Sequence, residues 1–263
     1  MNKLKKQILF CNCKGDLIGS DKLKEMRDYL VQLPFRVTIL SDLCGLAAIK
    51  SEQLNGLFVE PGEWILIGCY PRTMNLLMEQ VTGPVKKKLS ISFLNLIEST
   101  PEVVIREVGK FCHDISEEIS LNELKEESGW PAWYPVIDYG RCTACGQCAD
   151  FCLFGVYEKT TEGVRVINSQ GCKNLCPACA RICPSTAIIF PKYKNGGAIG
   201  GSEEIDETAE IQRQVKDIET LLGNDIYDAL QNRKLKRQSI IREEALKKAM
   251  GEREDFLKQN KKN

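Results

Sequence analysis

Through the first 127 residues, short apolar runs alternate with amphipathic stretches. Runs of this length suit buried strands, and the stretches between them repeat their apolar positions at helical spacing. Strands are predicted at residues 8–11, 35–40, 64–69 and 89–94. Helices are predicted at 20–31, with Ser20 as cap, at 46–54 and at 72–81. Pro101 opens a closing helix whose apolar positions are Val104, Ile105, Val108, Phe111, Ile115 and Ile119. Strand and helix in alternation predict an α/β domain over residues 1–127, a parallel sheet with helices on its faces.

The pattern breaks at residues 128–135, where Pro131, Pro135 and Gly129 stop any helix and mark a linker. Trp130 and Trp133 in that linker are expected to pack it onto the next domain. A smaller α+β module is predicted over 136–191, with short strands at 136–138, 155–158, 164–167 and 187–190 and a hairpin turn at Thr161, Glu162 and Gly163. Residues 192–202 have the glycine-rich composition of a flexible tether. Residues 203–263 become helical and polar, with one apolar stripe at Ile211, Val215, Ile218 and Leu222. A thinner stripe at Leu246, Met250 and Leu257 follows a break near Gly223 and Asn224. Charge reverses along this tail: residues 203–230 hold nine acidic and two basic side chains, and residues 231–263 hold five acidic and eleven basic. A tail of this kind is expected to dock on its own protein or on a partner.

The whole chain of 263 residues balances 36 basic against 36 acidic side chains, which argues against nucleic acid as a partner. No apolar run approaches the roughly 18 residues of a membrane span, and residues 8–11 are too short for the core of a signal peptide. No membrane insertion is expected, and the expected location is cytoplasmic, where thiols stay reduced. Lys86, Lys87 and Lys88 read as a solvated approach to the fourth strand.

Thirteen cysteines then become the central fact, because eight of them fall within residues 142–183. Cys142, Cys145, Cys148 and Cys152 form one run; Cys172, Cys176, Cys179 and Cys183 form a second. Cys145, Cys148 and Cys152 recur 31 residues later as Cys176, Cys179 and Cys183, so the segment is an internal repeat. Three thiolates from one short loop suit three irons of a cubane cluster, and such a loop also turns N–H groups toward the sulfurs. The fourth cysteine of each run lies past a short helical turn and points away from its own loop. In runs of this kind it ligates the other cluster. One cluster is thereby assigned to Cys142, Cys145, Cys148 and Cys183, and the other to Cys172, Cys176, Cys179 and Cys152. Two zinc sites and a set of disulfides are the competing readings, and neither accounts for the triads.

Residues 136–191, with CTACGQCADFC and CKNLCPACARICP, resemble the bacterial two-cluster ferredoxin module. Leu153 stands where that family usually has proline, and one extra residue separates Cys172 from Cys176. The resemblance implies two low-potential [4Fe–4S] clusters with no open iron, hence electron transfer.

Four further cysteines lie at or beyond the C-terminal ends of predicted strands: Cys11, Cys13, Cys44 and Cys69. That edge of a parallel sheet is where ligands bind. The segments Phe10-Cys11-Asn12-Cys13, Ser41-Asp42-Leu43-Cys44-Gly45 and Ile67-Gly68-Cys69-Tyr70-Pro71-Arg72-Thr73 are similar to the N-terminal domain of the flavin-bearing subunit of heterodisulfide reductase, over about residues 1–115. This resemblance implies a third [4Fe–4S] cluster with those four cysteines as ligands. A redox dithiol at Cys11 and Cys13, or plain core cysteines, are the alternatives. Cys112, beside the single His113, reads as a core residue.

No GxGxxG follows a strand, so no flavin is predicted in this chain, and no Ser, His and acid constellation supports hydrolysis. The sequence therefore predicts an iron–sulfur electron-transfer protein, a subunit or shuttle of a redox complex whose partner is a flavoprotein or reductase, more than an enzyme in its own right. The second prediction is an oxidoreductase component that works on a thiol or disulfide at Cys11, Cys13, Cys44 and Cys69.

Overall fold

The computed structural model describes residues 5–59, 62–83, 90–113 and 119–222. The first region runs β1 (Lys5–Cys11), α1 (Ser20–Leu30), β2 (Arg36–Leu40), α2 (Leu43–Ala48), α3 (Glu52–Gly56), β3 (Gly62–Gly68), α4 (Pro71–Thr82), β4 (Ser90–Asn95), α5 (Pro101–Phe111) and β5 (Ser120–Leu124). All five strands join one parallel sheet in the order β4-β3-β1-β2-β5. Because β2 and β3 flank β1 on opposite sides, the chain reverses its winding direction beside β1. The crevice at the C-terminal ends of β1 and β3 is the switch point of the sheet.

Alternation along the strands divides the core in two. Ile8, Phe10, Val37, Ile39, Ile65 and Ile67 point to the side covered by Leu23, Met26 and Leu30 of α1 and by Val104 and Val108 of α5. Leu9, Cys11, Leu40 and Leu66 point to the other side, under Leu43 and Leu46 of α2, Leu54 of α3 and Met74, Leu77 and Met78 of α4.

Four expectations need correction here. Gly19, not Ser20, is the N-cap of α1, and Ser20 is the first helical residue. The helix expected over 46–54 is two short helices, because Lys50 takes a positive φ of 49° and Ser51 then caps α3 by accepting from the Leu54 N–H. The closing helix stops at Phe111, and Ile119, expected on its apolar face, is exposed just before a fifth strand that the pattern did not reveal. That strand, Ser120–Leu124, lies at the sheet edge with its middle residues exposed, so its sequence carries no apolar run.

The second region runs β6 (Val136–Ile137), α6 (Gln147–Phe151), β7 (Tyr157–Thr160), β8 (Gly163–Val166), α7 (Ala178–Arg181), β9 (Ile188–Ile189), α8 (Gly197–Gly200) and α9 (Glu207–Leu222). β6 pairs antiparallel with β9, and β7 with β8 across the turn at Thr161 and Glu162. Trp133 stacks on Phe190 with ring centroids 5.1 Å apart. Tyr134, fully buried, donates its hydroxyl to the Cys44 carbonyl at 3.0 Å, so residues 130–135 form a packed seam with the sheet region.

The glycine-rich stretch 192–202 is also packed, which overturns the flexible tether. Ala198, Ile199 and Gly200 are buried, and Thr73 of α4 donates to the Gly200 carbonyl at 3.1 Å. Arg72 of α4 reaches Asp138 at 3.0 Å and the carbonyls of Thr186 and Ala198. Glycine here permits close approach: at Gly201 (φ +91°) any Cβ would run into the Thr73 hydroxyl.

The first two positions of the tail stripe face outward, contrary to expectation. Ile211 and Val215 are about half exposed, whereas Gln214 is buried and donates to the Thr186 hydroxyl at 3.1 Å. Lys86–Lys88, Ile115, the side chains of Ile218 and Leu222, and the tail beyond Leu222 with its break and second stripe, lie outside the described residues. Among the described residues, no helix is long and apolar enough to cross a membrane.

Candidate metal centres

In the second region, each cysteine run begins on a loop that tightens into a short helix. Residues Ala144 and Leu175, each just before the second cysteine of its run, take left-handed conformations with φ of 56° and 61°. They are 31 residues apart, so the sequence repeat is also a backbone repeat. A left-handed residue inside such a loop turns successive N–H groups to one side and makes an anion-binding concavity. Gly146 follows with φ +79° as the N-cap of α6.

Two hollows lie at these loops. Cys142, Cys145, Cys148 and Cys183 line the first, with Ile137, Val164 and Ile188 as apolar wall. Cys152, Cys172, Cys176 and Cys179 line the second, with Phe151, Val156 and Tyr157. Each hollow thus receives three cysteines from one run and the fourth from the other. Among the described residues no three His, Cys, Asp or Glu side chains close on a single metal ion.

Electrostatics link the fourth cysteine of each run to the opposite triad. Cys148 and Cys172 are each pushed up to about 12, first by burial and then by neighbouring thiols, Cys183 among those acting on Cys148 and Cys152 among those acting on Cys172. Burial likewise raises Cys179, opposed by the hydrogen bond from Tyr157, whose hydroxyl donates to the Cys179 sulfur at 3.0 Å. The Ala187 N–H donates to the Cys183 sulfur at 3.3 Å. Thiols held protonated in this way release protons when a metal binds. These donors, the concave loops and the eight thiols fit a [4Fe–4S] group, an anion that accepts N–H and O–H hydrogen bonds at sulfur.

The four remaining cysteines of the sheet also come together. Cys11 ends β1, Cys13 follows it, Cys44 lies in the first turn of α2 and Cys69 follows β3. Cys11, Cys44 and Cys69 are buried in one apolar cluster, against which Cys13 and also Cys172 of the second region pack. The Leu43 N–H points at the Cys11 sulfur at 3.4 Å and the Gly15 N–H at the Cys13 sulfur at 3.2 Å. Cys11 and Cys13 act on each other, which raises the Cys11 thiol and lowers that of Cys13. Burial, and then the charge of Asp42 and Cys13, raises Cys44; burial and then Cys13 raise Cys69. Cys112 stands apart at the C-cap of α5.

Sequence reasoning missed the groups that surround these sulfurs. Tyr157 is an ordinary strand aromatic by pattern. Lys192 lies 150 residues from Asp42, yet its ammonium sits 2.5 Å from the Asp42 carboxylate and 2.7 Å from the Pro131 carbonyl. Burial pulls the Lys192 pKa down, but Cys44, Asp42 and Cys13 together override it and keep the ammonium charged.

A family described as a 4Fe-4S binding domain matches residues 135–155. An uncharacterised ferredoxin of Methanocaldococcus jannaschii is 33% identical over 117 residues, which covers 44% of this chain and 69% of that relative. No solved structure matches the chain. Loops that bring cysteine triads and inward N–H groups around a hollow, together with the family match, define the class: an iron–sulfur protein with a 4Fe–4S module. The chain belongs to the ferredoxin family, whose module carries at least one [4Fe–4S] cluster for electron transfer.

Proposed function

We propose that this chain relays electrons through three iron–sulfur sites to a redox protein partner, as a subunit or shuttle of a redox complex. The observation that carries the reading is the crosswise lining of the two hollows. In this reading Cys142, Cys145, Cys148 and Cys183 hold one [4Fe–4S] cluster, and Cys172, Cys176, Cys179 and Cys152 hold the second. Cys11, Cys13, Cys44 and Cys69 hold a third. A bound cluster supplies one-electron storage and transfer at low potential. The chain's own residues do the rest. Tyr157 and the Ala187 N–H steady the sulfur charge, and the apolar walls keep water away. Cys172 packs against the core that contains the sheet-edge cysteines, and Cys145 is exposed, which supports a path from the sheet edge through the second hollow to the surface at the first. The partner proposed is a flavoprotein or reductase of a heterodisulfide-reductase-type complex, on the likeness of residues 10–13, 41–45 and 67–73.

The pairing of Cys11 with Cys13, which lowers the Cys13 thiol, favours a second reading, a dithiol that exchanges with a disulfide substrate. Anaerobic reconstitution with iron and sulfide decides. About twelve irons per chain are expected, against about eight with titratable sheet-edge thiols for the dithiol. Replacing Cys183 by alanine is expected to abolish the paramagnetic signal of the Cys142 cluster and leave that of the Cys172 cluster. Loss of the opposite signal would break the crosswise assignment.

A further inference from the structure

Asp42 behaves unlike an ordinary N-cap. It stands at the N-cap of α2, where an aspartate normally accepts from the first helical N–H groups, yet its side chain makes no capping bond. Instead Oδ2 holds Lys192, while Oδ1 is buried without a hydrogen-bond partner. Both side chains are nearly or fully buried, at 8% exposure for Lys192 and 0% for Asp42. A buried ion pair adds little net stability because desolvation offsets its attraction. Its place here therefore calls for another role.

That place is the sheet-edge cysteine site. A Cβ at Gly15 would stand 3.3 Å from both the Cys13 sulfur and the Lys192 Cγ, so the lysine stem lies over the turn that carries Cys13. Lys192 follows β9 and Pro191, and so comes from the ferredoxin side of the molecule. We propose that Lys192 is the fixed positive charge of the sheet-edge site and Asp42 the residue that positions it, and that the pair sets how readily this site accepts an electron. The inference rests on the reading that Cys11, Cys13, Cys44 and Cys69 hold an iron–sulfur group. One electron arriving from a neighbouring cluster adds one negative charge and breaks no bond. In a buried site that charge is costly unless a cation faces it.

The test is a potentiometric titration of the full reconstituted chain followed by paramagnetic resonance, with the two ferredoxin-module centres as internal controls. In Lys192→Met, the sheet-edge centre is expected to become harder to reduce by about tenfold in its equilibrium constant, ~59 mV for a one-electron couple. Lys192→Arg is expected to restore the wild-type value, and Asp42→Asn to shift the centre the opposite way, with the module centres unmoved in every variant. A third centre whose potential ignores both Lys192→Met and Asp42→Asn overturns the inference. If Lys192→Met does not fold, the sign of the Asp42→Asn shift decides. A wild-type chain that takes up about eight irons and shows no third signal overturns the site itself and the inference with it.

Discussion

In the ferredoxin module, three thiols of each quartet come from one loop within a few residues of chain, and the hollows they line are walled by apolar side chains such as Ile137, Val164 and Ile188 at the first and Phe151 and Val156 at the second. At the sheet edge, four thiols come from the ends of two strands and the start of a helix, and three of them are already buried in the largest apolar cluster of the molecule. The first arrangement is local and leans on what it binds; the second is built by topology and sits in a core that also takes in Tyr134, Val136 and Ile189. A module of this size buries little surface per residue, and small metal-binding units draw folding free energy from the metal. The five-stranded sheet has an apolar core on each face, so it is expected to hold without metal.

The sharpest way to break that comparison is to remove the iron. Anaerobic chelation is expected to abolish amide protection across residues 136–191 while the central strands β1, β2 and β3 stay protected, as read by hydrogen exchange. Equal loss in both regions would mean that the sheet also depends on metal.

What the sequence made legible follows the same division. Cysteine spacing revealed both triads and the repeat, because loop ligands are close in chain and their order is the site. The strands at residues 8–11, 35–40 and 64–69 were legible because both faces of a central parallel strand are apolar. β5 was not, since an edge strand whose middle residues, Leu121, Asn122 and Glu123, are exposed looks like any polar segment. Gly196, Gly200 and Gly201 read as a tether by composition, and only tertiary contact with Tyr70 and Thr73 shows that they are small to let chains approach. The Lys192–Asp42 pair had no sequence signal at all, because nothing in composition joins residues 150 apart.

The seam between the two regions offers an intermediate test. Gly201→Ala forces a side chain into a left-handed position and against Thr73, and is expected to cost about 2–3 kcal/mol, read as a melting temperature several degrees lower. Gly109→Ala is its control. That glycine lies exposed in α5 with nothing within 4 Å of its would-be Cβ, so alanine is expected to stabilise by about 0.5–1 kcal/mol through helix propensity. A neutral Gly201→Ala would mean that the seam is loose and that the two regions meet without close packing.

The smallest effect concerns the helix that leaves the ferredoxin module. Pattern alone would assign the packed face of α9 to Ile211 and Val215, but those side chains are half exposed and the buried contact is made by Gln214. Ile211→Lys removes apolar surface that already meets water, so a change within about 0.5 kcal/mol is expected. Gln214→Ala leaves the Thr186 hydroxyl without its donor in a buried position and is expected to cost about 1–2 kcal/mol. Thr186 lies three residues past Cys183, and its carbonyl is also a contact of Arg72, so the loss should register near the first hollow as well as at the helix. Thermal unfolding of the two variants side by side reads the difference. A larger penalty for Ile211→Lys than for Gln214→Ala would return the apolar stripe to the interior and make the helix an ordinary amphipathic one.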